Sequence, residues 1–167
     1  CYEKEQQKRR EREQWNRTQA AIKRLHQMGV MDPRYLKNRF EIDDTPESYP
    51  GRLTRRYVDQ WQEMSHKGTG LLFLGKPGTG KPFSACCVAN ALIDKGIFAF
   101  ITNVTEVTRT FKDEEERRRL LHYTSSAALM ILDDLGAERS TEYAIEQLYG
   151  IVDQRYRSGK PLIVTTN

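Results

Sequence analysis

The chain has 167 residues, with 27 Lys and Arg against 23 Asp and Glu and 38% hydrophobic residues, which suits one domain with a real core plus an appendage and leaves no length for a second full domain. No apolar run approaches a membrane span and the opening CYEKEQQKRR has no secretory character, so a cytosolic protein without membrane attachment is expected. The three cysteines, Cys1 and the adjacent Cys86 and Cys87, build no disulfide framework, in keeping with a reducing compartment.

The net charge of +4 resides at the front, where residues 1–28 hold eight Lys or Arg against four Glu. Residues 2–28 lack Gly and Pro and predict a helix. Its apolar residues Trp15, Ile22, Leu25 and Met28 form only a loose stripe, so it reads as a solvated helix docked by its C-terminal half. Its basic side chains suit a charged linker, or a contact with DNA phosphates or a protein partner. Residues 29–52 concentrate Pro, Gly, Asp and Ser and predict a connector with little regular structure. The expected division is a basic helix and linker over 1–52 and a core over 53–167.

Leu53, Tyr57, Trp61 and Met64 are spaced as one amphipathic helix, its aromatic stripe being core packing. From there the pattern alternates. LLFLG (71–75), IFAFITN (97–103), ALMILDDLG (128–136) and PLIVTTN (161–167) predict buried strands. Between them lie a helix ending at Gly96, a charged helical stretch over 104–126, and a helix capped by Ser140 or Thr141. In that last helix Glu142 favours the first turn, Ala144, Ile145, Leu148, Ile151 and Val152 give the apolar face, and Ser158, Gly159 and Pro161 mark the stop. Strands apolar on both faces and separated by helices predict an α/β fold with a parallel sheet covered on both sides. The last strand closes the sequence abruptly, which together with Cys1 at the start reads as a longer chain cut at both ends.

Gly75, Gly80 and Lys81 complete a GxxxxGK pattern between a predicted strand and a predicted helix. That context makes it a phosphate-binding loop over Gly75, Lys76, Pro77, Gly78, Thr79, Gly80, Lys81, Pro82 and Phe83. Gly78 and Gly80 allow close backbone approach to the anion, and Lys81 brings a point charge to the β and γ phosphates. Residue 82 departs from the pattern, because proline has neither the hydroxyl that would ligate Mg²⁺ nor an N–H for a phosphate. Proline is tolerated at the start of a helix, so the loop should keep its shape while holding Mg²⁺ poorly. Ser84 points to a different side of the helix and is a poor substitute.

A carboxylate at the end of a neighbouring strand should hold the metal's water shell. Asp133 is assigned to Mg²⁺ and Asp134 to polarising the attacking water, with Glu138 in reserve as base. Asn167, at the carboxyl end of the last strand, faces the crevice where such sheets bind ligands and could orient the water or sense the γ phosphate. KDEEERRR (112–119) predicts pairs Asp113–Arg117, Glu114–Arg118 and Glu115–Arg119 on a solvated helix face.

GKPGTGK, ILDDLGAE and EYAIEQLY…VDQRYRSGKPLIVTTN together resemble the AAA+ ATPases of the DnaC/DnaI helicase-loader group and their IstB-like relatives, over about residues 53–167. The resemblance implies ATP and Mg²⁺ as cofactors, self-association through the core, and delivery of a replicative DnaB-type helicase onto single-stranded DNA. It carries Lys81 over as the Walker A lysine, Asp133 and Asp134 as the Walker B pair and Asn167 as sensor 1. The arginine finger and sensor 2 arginine of such proteins have no matching residue here. Arg117–Arg119 would lie near the DNA-facing side. Cys1 fits the last ligand of an N-terminal zinc module, but no zinc site is expected within this chain. The alternatives are an IstB-like transposition ATPase and an adaptor that keeps the AAA+ shape but ignores nucleotide because of Pro82.

Overall fold

The structure is a computed structural model and describes residues 2–30, 32–136 and 142–167. Helix α1 (Tyr2–Gly29) is exposed along most of its length, Trp15 included. Ile22 and Leu25 pack against the core, so the helix docks by its C-terminal half, as its apolar stripe predicts. At its end a Cβ on Gly29 would lie 2.0 Å from the Ala99 carbonyl oxygen, so only glycine allows the backbone to lie this close. The next residue, Val30, forms a parallel bridge with Ile101.

The connector is more ordered than its composition implies. It contains one helical turn, α2 (Pro33–Leu36), whose cap Asp32 accepts from the Arg34 amide, and a 3-10 turn at Phe40–Ile42. The amphipathic helix expected from Leu53 begins earlier, at Tyr49, because Ser48 accepts from the Gly51 amide and Pro50 fits the first turn. It is also two helices, α3 (Tyr49–Asp59) and α4 (Trp61–Lys67), joined at Gln60. Tyr57 and Trp61 are buried with ring centroids 6.0 Å apart, which bears out the aromatic stripe as core packing.

Then follow β1 (Leu71–Leu74), α5 (Lys81–Asp94) and β2 (Ala99–Asn103). The charged stretch expected as one helix is α6 (Val104–Thr110) and α7 (Glu114–Ser126). Asp113 caps α7, its carboxylate accepting from the Glu116 amide at 2.8 Å. That role takes it away from Arg117, which sits 3.7 Å from Glu114 instead; Glu115 and Arg119 pair at 3.2 Å as expected, and no Glu114–Arg118 ion pair forms among the described residues. The chain closes with β3 (Leu129–Leu135), α8 (Glu142–Arg157) and β4 (Leu162–Thr166). Glu142 stands in the first turn of α8, whereas its expected caps Ser140 and Thr141, with Glu138 and Cys1, lie outside the described residues.

All strand pairs are parallel, in the order β1-β4-β3-β2. Leu129, Ile131 and Ile163 turn to one face and meet α5, α3 and α4. Phe100, Met130 and Leu132 turn to the other and meet α6, α7 and α8. Each fully buried side chain of this size contributes roughly 1.5–3 kcal/mol, so the central strands fix the register strongly. Cys86 and Cys87 are small core residues on α5, where burial pushes the Cys87 thiol up to about 12 and raises Cys86 as well. The fold is the expected α/β class, with one correction. On the face covered by α6–α8, Leu72 and Leu74 of the outer strand β1 stay 67% and 71% exposed, and Ile145 of α8 is exposed too. The helices lie over the inner strands, so apolar composition alone overstates the burial of β1.

Arg155 of α8 is fully buried and donates to the carbonyls of Thr124, Ala127, Ala128 and Pro161 at 2.5–3.2 Å. It joins the end of α7, the entry to β3 and the entry to β4. Desolvation brings its pKa down to about 10, still far above neutrality. No described helix is long and apolar enough to cross a membrane.

Candidate functional site

The loop from Gly75 to Gly80 leaves the carboxyl end of β1 and turns into the N-terminus of α5. Gly78 and Gly80 have φ of +79° and +77°, and a Cβ at either would meet nothing within 4 Å. Glycine is required here by backbone conformation, not by space. Among the described residues the amides of Gly78 and Gly80 make no backbone hydrogen bond, and Gly80 caps α5 without a side-chain bond. The loop therefore points free donors and the positive end of a helix toward solvent.

Lys81 is 8% exposed. Its Nζ donates to Gly75 O at 2.6 Å, Lys76 O at 2.8 Å and Asn167 Oδ1 at 2.9 Å. All three acceptors are neutral, and no ion pair among the described residues includes Lys81. A buried ammonium held only by neutral oxygens beside unpaired amides is half of an anion site.

The acidic pair sits at a bulge. Pairing between β3 and β4 shifts between Leu132 and Leu135, and Asp134 adopts φ +55°, a left-handed conformation that aspartate tolerates better than most residues. The irregularity buries Asp133 and exposes Asp134. Thr165 Oγ donates to Asp133 Oδ1 at 2.6 Å and accepts from the Asp134 amide at 2.8 Å. Asn167 Nδ2 donates to Asp134 Oδ1 at 3.3 Å. One hydrogen-bonded chain thus runs Lys81, Asn167, Asp134, Thr165, Asp133, and the structure brings together the side chains the sequence singles out.

Two clefts flank the loop. One, of about 490 Å³, is lined by Arg34, Tyr35, Asn38, Pro82, Asn103, Val104, Thr105, Asp133 and Asp134. The other, of about 320 Å³, lies between residues 42–51 and the loop residues Thr79, Gly80, Phe83 and Ser84. Pro82 and Ser84 therefore face different clefts, as their helical spacing implies. Sequence reading missed Tyr35 and Asn103, and placed Thr165 at the polar end of the last strand without giving it a role. Tyr35 donates its hydroxyl to Asp133 Oδ2 at 2.8 Å, and burial, with this bond second, raises its pKa. Asn103 caps α6 and is in register with Asp133. Strand alternation with Asp133 and Asn167 was the available signal for Thr165; none marked Tyr35.

The donor set fits a polyphosphate. For a divalent cation it is thinner: Asp133 provides a carboxylate whose two oxygens each already accept a hydrogen bond, and Pro82 adds no oxygen. Among the described residues no group of three or more His, Cys, Asp or Glu is placed to hold a metal.

The family of IstB-like ATP binding proteins matches the chain over residues 2–167. This chain belongs to that family. It is an AAA+ protein of the DnaC/DnaI group, similar to the replicative helicase loader DnaI of Bacillus subtilis (27% identity over 137 residues, 80% of this chain and 40% of DnaI). It is also similar, at the same identity over a shorter stretch, to the replicative helicase loader DnaC of Escherichia coli (27% over 118 residues, 68% of this chain and 47% of DnaC), so it spans less than half the length of either loader. The crystal structure of the DnaC helicase loader superposes with a TM-score of 0.69 at 26% identity, covering 81% of this chain and 80% of that one. The family match includes α1 and the connector as well as the sheet.

Proposed function

We propose that this chain binds ATP with Mg²⁺ and acts as a helicase-loader ATPase that delivers a DnaB-type replicative helicase onto single-stranded DNA. The observation that carries the reading is the buried Lys81 ammonium, without a carboxylate partner among the described residues, beside the unpaired amides of Gly78 and Gly80. In this reading the amides of Gly78–Lys81 and the Lys81 ammonium hold the β and γ phosphates. The cleft between residues 42–51 and Phe83 takes the nucleoside. A bound Mg²⁺ would neutralise phosphate charge, held on the protein side by Asp133. Asp134, exposed and oriented by Asn167, orients and polarises a water. The similarity to two replicative helicase loaders supports the helicase and single-stranded DNA as partners, with residues 53–167 as the self-associating core and 1–52 as the arm. A salt-sensitive grip on DNA independent of sequence follows from that assignment.

The test is a titration of a fluorescent ATP analogue, with Mg²⁺ and with EDTA, followed by helicase loading on a single-stranded circle. Binding at sub-millimolar analogue that Lys81→Met weakens supports the reading; no binding in either condition sinks it. One observation favours a second reading: Pro82 removes a metal ligand, which suits an adaptor indifferent to nucleotide. Loading that proceeds equally with and without nucleotide would establish that one. An IstB-like transposition role is distinguished by whether a transposase, rather than a helicase, is retained by the chain.

A further inference from the structure

The last turn of α1 and Arg39, just ahead of the 3-10 turn of the strap that leads to α3, are tied to one carboxylate. His26 Nε2 lies 2.7 Å from Asp94 Oδ1, and Arg39 Nη1 donates to Asp94 Oδ2 at 2.5 Å. In between, Val30 bridges to Ile101, and the buried Asn90 amide donates to the carbonyls of both Tyr35 and Asn38 at 2.8 Å. Asn90 and Asp94 belong to α5, the helix that opens with Lys81 and Pro82. The strap is therefore registered to the phosphate loop's own helix, and the Tyr35 hydroxyl is delivered to Asp133 by at least four anchors.

That hydroxyl enters the cleft which Pro82 also lines. A phenol that gives its single proton to a carboxylate keeps lone pairs on its oxygen; the Asn103 side chain engages one, and a second still accepts. Tyr35 thus brings an oxygen of the hydroxyl class to the side of the loop where residue 82 has none. We propose that Tyr35 is a positioning residue of the cation site, holding Asp133 in place and offering its oxygen to a water of the ion's hydration shell in place of the hydroxyl that Pro82 lacks. The inference rests on the nucleotide-binding reading above. It assigns to the connector a part in the site.

The experiment compares the intact chain with Tyr35→Phe and with Tyr35→Phe/Pro82→Thr, titrating a fluorescent ATP analogue in EDTA and in Mg²⁺. The intact chain should bind more tightly in Mg²⁺. Tyr35→Phe keeps the ring, and should leave the thermal midpoint and the EDTA affinity within about twofold while weakening binding in Mg²⁺ by roughly three- to tenfold, the worth of one hydrogen bond. Adding Pro82→Thr should restore the Mg²⁺ effect. The inference is overturned if Tyr35→Phe leaves binding in Mg²⁺ unchanged, if it tightens it, which would make Tyr35 a competitor of the cation, or if the intact chain gains nothing from Mg²⁺. Absence of nucleotide binding in both conditions strikes the binding reading itself, and the inference falls with it.

Discussion

Replacing Lys81 by methionine separates an anion site from a structural bond. Methionine keeps much of the aliphatic stem and deletes the charge. In the protein without nucleotide, the ammonium is buried among the Gly75 and Lys76 carbonyls and the Asn167 amide oxygen. Its removal costs three hydrogen bonds but also relieves the desolvation of an unpaired cation, and water reaches the open loop carbonyls. The two effects nearly offset, and the expected change in stability is within about 1 kcal/mol. Toward a triphosphate the balance differs, because a charge-assisted bond of about 1.5–3 kcal/mol is lost without compensation, weakening binding roughly 10- to 150-fold. Urea unfolding without nucleotide and analogue titration in EDTA read the two quantities independently. A loss of more than about 2 kcal/mol in stability together with unchanged affinity would refute the argument and make Lys81 a structural residue.

Pro82→Thr restores both a hydroxyl and an N–H at the head of α5, and steady-state ATP turnover should rise about tenfold or more over the parent chain; an unchanged rate argues that something else limits hydrolysis. Arg155→Met strips the shared donor from four carbonyls and should lower unfolding free energy by about 3 kcal/mol, as read by urea melts. The Asp43 side chain is only 7% exposed and accepts from Arg55 at 2.8 Å, which holds its carboxyl below its ordinary value of 3.8. A depressed acid stabilises the fold above its unfolded pKa and loses that contribution as pH falls through its folded pKa. The stability gap between the parent chain and Asp43→Asn should accordingly be full at neutral pH and close at pH values below 3.8. Iodoacetamide at pH 8 should leave Cys86 and Cys87 unmodified in the folded chain, since burial raises both thiols, and should label both in urea.

The inner sheet was legible because β2, β3 and β4 are apolar on both faces and each is followed by a polar or glycine stop. The loop was legible because its glycines have one use between a strand and a helix. Residues whose role depends on a distant partner left no such mark. Tyr35 lies in a Pro- and Asp-rich connector, and only the fold shows it reaching Asp133, 98 positions away. The end of α6 was hidden for a related reason: Asp113 suits a helical ion pair as well as a cap, and the fold uses it as a cap while Phe111 packs into the core. Leu72 and Leu74 show the converse, since an apolar strand does not say whether both of its faces are covered.

The turn at Asp134 also governs how mutants there will have to be read. At φ +55° alanine bears a conformational penalty that asparagine largely escapes. An alanine scan would consequently mix a backbone effect into the lost carboxylate and overstate the side chain's contribution. Asparagine is the isosteric control: it keeps the shape of the bulge and removes only the negative charge.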